Sequence, residues 1–207
     1  MNLRFVLAVA WSAIPVSGDT YHFATTSLEA IKALTDNLTQ AIQDWDGSDL
    51  ATALSNIHEP AEGLVEYMSN ATKTLLGNDK MFSLNQAFRI ASPTQRLAYS
   101  ANASVANLNR RLPEFKRAQV NAIVVNDLKS LLNATQDFSD SLISHVPSDL
   151  YPVAVNLRAL NVNSLQQGID CFGGTDSACS AAVVDPDRTY ELAVRYDAMK
   201  EDGSPIA

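Results

Sequence analysis

Along almost the whole chain from Thr25 onward, apolar residues recur three and four positions apart, which commits the sequence to amphipathic helices rather than strands. The first segment runs from about Thr25 to Asp46. Leu28, Ile31, Leu34, Leu38, Ile42 and Trp45 form its stripe, Glu29, Lys32, Asp36, Gln40 and Gln43 lie largely off it, and Gly47 supplies a stop. Ser48 suits the N-cap of a second helix, whose apolar face is Leu50, Leu54, Ile57, Leu64, Met68 and Leu75, ending at Gly77. Pro60 interrupts that pattern, so a kink or a break is expected near His58-Glu59.

A third segment is capped by Ser83 and turns Leu84, Phe88, Ala98, Ala101, Val105, Leu108 and Leu112 inward, with a second kink or a late start expected at Pro93. The fourth begins after Pro113 and holds the helical period through Phe115, Ala118, Ala122, Val125, Leu128, Leu132, Phe138 and Leu142 before His145-Val146-Pro147. The fifth is capped by Ser148 and continues through Val153, Leu157, Leu160, Leu165, Ile169 and Phe172 to Gly173-Gly174. The one β-branched run, Ile123-Val124-Val125, is embedded in a helical period. The expected fold is all-α, an elongated antiparallel bundle of about five long amphipathic helices joined by short links.

Ahead of the helices, Met1 to Gly18 combine one positive charge at Arg4, an apolar run from Phe5 to Ile14, Pro15, and the small residues Ser17-Gly18, the pattern of a secretory signal peptide. The run is shorter than the roughly 20 residues a membrane span needs. Three parts are expected: a signal peptide over 1–18, a helical domain over 19–174, and a partly disordered tail over 175–207. An oxidising destination predicts that the two cysteines, Cys171 and Cys179, pair, closing a short loop worth roughly 2–3 kcal/mol in the chain-entropy account. Four Asn-x-Ser/Thr sequons, at Asn37, Asn70, Asn102 and Asn133, become possible glycan sites, with Asn70 and Asn133 on the solvent faces of their helices.

A net charge of −8, with no cluster of Lys and Arg, argues against nucleic acid as a partner and gives little attraction to anionic lipid headgroups. His22, His58 and His145 stand at an irregular start, a kink and a helix end, without metal-ligand spacing, and no cofactor motif is present. A serine hydrolase would carry Gly-x-Ser-x-Gly on a strand-to-helix turn, and neither motif nor strand occurs. Scattered carboxylates read as solvated helix faces rather than as an acid–base pair. His58-Glu59-Pro60 stands out as a polar group at a kinked helix, where a capping or solvent role is expected.

The segment Gln40-Ala41-Ile42-Gln43-Asp44-Trp45-Asp46-Gly47 resembles the opening helix of the fungal hydrophobic surface-binding protein A family, which includes antigenic cell-wall galactomannoproteins. Leu128-Lys129-Ser130-Leu131-Leu132 followed by Phe138-Ser139-Asp140-Ser141-Leu142 and the break at Val146-Pro147 is similar to that family's last two helices. The resemblance spans roughly Thr20 to Phe172 and does not extend to the Cys171–Cys179 loop. It implies a secreted, non-catalytic helical protein that adsorbs to hydrophobic surfaces, holds a fatty acid between its helices, or resides in the cell wall among its polysaccharides.

Burying an acyl chain in such a bundle is worth about 0.8 kcal/mol per CH₂. Ile57, Leu64, Met68, Val105, Leu108, Val125, Leu128 and Leu132 are the residues expected to line an interhelical slot, against the alternative that they simply pack the core. Two rival functions remain open. A structural wall mannoprotein would need no lipid, although the C-terminus lacks the apolar tail of a GPI signal. A helical inhibitor of a secreted enzyme, as in plant invertase and pectin methylesterase inhibitors, would have cysteines stapling an N-terminal hairpin, and here that region has none.

Overall fold

The computed structural model describes residues 19–47, 50–174 and 179. The signal segment, the Ser48 cap and, apart from Cys179, the tail lie outside these residues. Helix α1 spans Thr20–Asp44, opening earlier than the apolar stripe alone suggests because the Asp19 carboxylate caps it by accepting from the Tyr21 N–H at 3.2 Å. His22 therefore sits on a helix and not at an irregular start. Beyond Asp44 the backbone turns extended at Trp45, and Gly47 takes the left-handed φ of 77° that favours glycine.

Helix α2, Leu50–Ala53, widens into a π-helical turn, Leu54–His58, and continues as α3, Glu59–Leu76, with Pro60 in its first turn. The expected disruption at Pro60 is thus a bulge inside one continuous path. A proline crowds the carbonyl four residues back and cannot bond to it, and a wider turn absorbs both problems. Helix α4, Leu84–Arg110, starts at a capping box in which Ser83 and Gln86 satisfy each other's backbone N–H groups, and it encloses Pro93 without a late start.

The fourth segment is two helices, α5 (Leu112–Arg117) and α6 (Asn121–Ile143). Gln119, at φ 59°, breaks the path between them. Phe115, Leu128, Phe138 and Leu142 are buried as the stripe requires, but Ala122 is exposed and Val125 and Leu132 are only half-buried, with Val124 and Leu131 buried instead, so the expected inner face is off by one residue at those positions. A 3₁₀ turn, Ser148–Leu150, leads into α7, Tyr151–Phe172. Its inner face also differs from the expected one: Val153 is exposed, while Asn161, Ser164, Leu165, Gly168, Cys171 and Phe172 are buried. Gly168 explains the approach, since a Cβ there would stand 3.1 Å from a Val105 methyl and 3.3 Å from a Leu128 methyl.

Consecutive long helices run antiparallel, but the order in space is not the order in the chain. Helix α1 packs on α3 and α4, α4 on α7, α7 on α6, and α6 on α3, which closes a ring of five. Within it α1 and α4 are parallel: the Arg111 guanidinium at the end of α4 donates to the Trp45 carbonyl and, at 2.6 Å, to the Gln43 carbonyl at the end of α1. Those are otherwise orphaned C-terminal carbonyls, so the cation both caps α1 and sets its register. At the opposite end His145 is buried with its ring nitrogens 3.1 Å from the Leu75 carbonyl and 3.0 Å from the Lys80 carbonyl, and Phe82 N–H donates back to the His145 carbonyl at 2.8 Å. This clasp ties the α3–α4 link across the end of α6.

The α1–α4 C-terminal end is closed by aromatic packing. Trp45 and Phe115 stack with centroids 4.5 Å apart, and Phe172 meets Phe115 edge-on at 5.6 Å. Cys171, fully buried beside them, is bonded to Cys179. Among the described residues no helix is long and apolar enough to cross a membrane.

Candidate ligand cavity

Inside the ring, between α1, α3, α4, α6 and α7, lies a cavity of about 60 Å³. Its walls are mainly aliphatic, with Leu28, Ile31 and Leu38 from α1, Leu97 from α4, and Leu131 and Phe138 from α6 among them. Leu64, Met68, Val105, Leu108 and Leu128 also line it, so five of the eight residues expected around a slot converge there. Ile57 lines a separate space of about 10 Å³ with Phe115, Val120 and Asp127. Val125 and Leu132 line neither, being only half-buried at the flank of the inner face of α6 that carries Val124, Leu128 and Leu131.

The α1 contribution was readable as a stripe but not as a cavity wall, because chain order does not disclose that α1 faces α4. The polar part of the lining carried no sequence signal at all. Thr35, Thr94, Ser104, Thr135, Ser139 and Asn161 reach the cavity from α1, α4, α6 and α7. Thr35 and Thr94 donate to the carbonyls one turn back, Ile31 and Ile90, each at 2.8 Å.

His58, Asp127 and Asp36, all outside the cavity, have structural partners. His58, at the end of the π turn, pairs with Asp127 on α6, and not merely with solvent. The hydrogen bond to Asp127 pushes the His58 pKa up, with burial opposing and the charges of Asp127, Glu62 and Glu59 adding. Burial raises Asp127 while the His58 contact lowers it. On α1, burial works to raise Asp36, but hydrogen bonds from Lys32 and Ser100 hold it below the ordinary carboxylate value. Among the described residues no group of three or more His, Cys, Asp or Glu is placed to hold a metal. Of the sequon asparagines, Asn37 and Asn133 are exposed, Asn70 is half-buried, and Asn102 is buried at 9 % exposure.

Among curated proteins none matches the chain in sequence. Several solved structures share the fold. Ligand binding domain 1 of the Penicillium marneffei MP1 protein, complexed with arachidonic acids, superposes with a TM-score of 0.69 at 21% identity, over 74% of this chain and 99% of that one. AFMP4P in complex with palmitic acid gives 0.69 at 19% identity, over 73% and 99%. The two-domain Talaromyces marneffei Mp1 protein gives 0.71 at 18% identity, over 90% of this chain and 60% of that one. A profile of the hydrophobic surface binding protein A family matches residues 24–144, the span that builds α1 to α6 and most of the cavity wall, and the chain belongs to that family.

Proposed function

We propose that this protein is a secreted, non-catalytic binder of fatty-acid-like lipid, which it holds in the interhelical cavity. The observation that carries this reading is the cavity itself, an apolar space at the centre of a ring of five helices. Two relatives of the same fold are bound to arachidonic and palmitic acids, which makes an acyl chain the natural occupant. Leu64, Met68, Val105, Leu108 and Leu128, joined by Leu131 and Phe138, are the proposed contacts. About 60 Å³ is room for a few water molecules and not for a long acyl chain. Binding therefore requires lining side chains to swing aside, and the flexible Met68 is suited to that. The signal-like segment Met1 to Gly18 and the disulfide support an extracellular destination.

Lipid extraction and mass spectrometry of protein purified from its native secretor should recover an acyl compound, and added fatty acid should raise the melting temperature. Ala101→Phe, which projects a ring into the cavity from α4, should abolish that rise while the variant stays helical. Recovery of no lipid together with an unchanged melting temperature sinks the proposal.

A second reading, attachment to an apolar surface, rests on a different observation. Leu76, Met81, Leu84, Tyr151 and Val153 are all exposed, and they flank the clasp where the α3–α4 link meets the end of α6. Adsorption to hydrophobic beads that is lost in a Met81→Ser, Tyr151→Ser double variant and kept in Ala101→Phe would separate this face from the cavity.

A further inference from the structure

Resting on the reading of the cavity as a lipid site, we infer that the cavity takes an amphiphile whose polar head is uncharged and carries an O–H group, either an alcohol or a carboxylic acid in its protonated form. No charged side chain lines the cavity among the described residues. A carboxylate drawn inside would lose its hydration without a cation to replace it, and an uncompensated buried charge shifts its pKa and neutralises instead.

The hydroxyls and the amide on the wall reinforce this. A carboxylate only accepts hydrogen bonds, so it needs several donors converging on it. Thr35 and Thr94 have committed their protons to the Ile31 and Ile90 carbonyls, and Asn161 Nδ2 spends one of its two N–H groups on the Leu157 carbonyl at 3.2 Å, which leaves a single N–H from this side chain. What Thr35 and Thr94 retain is oxygen lone pairs, and those ask for a donor. The Thr135 hydroxyl reaches only the Met68 thioether at 3.9 Å, and with Ser104 and Ser139 it can give or take a proton. Such a wall satisfies a head that both donates and accepts. An O–H group does both, and a carboxylate does not.

The test uses the full secreted chain with decanol and with decanoic acid labelled at its carboxyl carbon, each kept below the concentration at which it self-associates. Calorimetry between pH 5.5 and 8 should give a constant affinity for the alcohol and a loss approaching tenfold per pH unit for the acid, whose free carboxyl titrates near that of a Glu side chain, about 4.3. The carbon chemical shift of the bound acid should stay that of the protonated form across this range, its pKa raised by more than about three units over that of the free acid. Acid affinity that stays flat across this range, with an unshifted bound pKa, overturns the inference while leaving lipid binding intact. Parallel weakening of alcohol and acid places the pH effect in the protein and also overturns it. If neither amphiphile binds at any pH, the lipid reading itself fails.

Discussion

The His58 imidazole stands with Nδ1 2.8 Å from Asp127 Oδ1, joining the π turn ahead of α3 to the second turn of α6. On its other side Nε2 lies 3.5 Å from Glu62 Oε1, one turn along the same helix. The widened turn directed by Pro60 places the ring at this junction, so a proline effect in the sequence becomes an interhelical ion pair in the fold.

The pair gives stability a pH dependence whose sign is fixed by both shifts. The Asp127 hydrogen bond raises the folded-state pKa of His58 above its ordinary 6.5, so this contribution is complete below that value and is lost as pH rises through the folded pKa. Asp127 is also raised, by burial first, so its own titration removes stability as pH climbs from 3.8. The urea midpoint should therefore fall between pH 6 and pH 8.5. Asp127→Asn should flatten that fall, and a variant that kept the whole slope would assign it elsewhere.

Gly63 lies in the interior of α3, exposed, with nothing within 4 Å of where a Cβ would sit. Glycine there costs helix stability through backbone entropy and gains no packing in return. Gly63→Ala should stabilise the protein by about 1 kcal/mol, a rise of roughly 2–4 °C in Tm for a domain of this size. Gly168, which admits Val105 and Leu128, is the contrasting position, and a large side chain there should destabilise.

Reducing the Cys171–Cys179 bond frees only a short loop, because the two residues are 8 apart in sequence. The loss should be roughly 2–3 kcal/mol on the chain-entropy account, visible as a lower Tm in dithiothreitol with far-UV helicity retained below the transition. Loss of all cooperative unfolding on reduction would mean that the bond holds α7 in the bundle.

Much of the architecture was legible because local signals agreed with global ones. Ser83 caps α4, Gly77 ends α3, and the α1 stripe is buried at Leu28, Ile31, Leu38, Ile42 and Trp45, with Leu34 half-buried at its flank. The places that were not legible are those decided by partners distant in sequence. Nothing near Arg111 announces that it will cap α1, and nothing near His145 announces carbonyls of the α3–α4 link, yet these contacts turn a sequence of hairpins into a ring with α1 beside α4. The cavity inherits that limit. Leu64, Met68 and Leu128 could be named from their stripes, whereas Thr35 and Asn161 could not, since a polar residue on a helix reads as solvent-facing until its neighbour is known.

The inward face of α6 separates two adjacent leucines that look interchangeable in the sequence. Leu131 is 7 % exposed and lines the cavity, while Leu132 is only half-buried and does not. Truncating Leu131 removes transfer energy and enlarges a space that already exists, so the surrounding helices have little to collapse onto. Leu131→Ala should cost 2–5 kcal/mol, the usual range for a core leucine. Leu132→Ala should cost clearly less, because part of its side chain stays in water whether the chain is folded or not. Urea denaturation of the two variants at one pH, with equal slopes, measures the difference directly. Equal destabilisation would mean that the two side chains are equally buried and that the cavity face of α6 does not distinguish them.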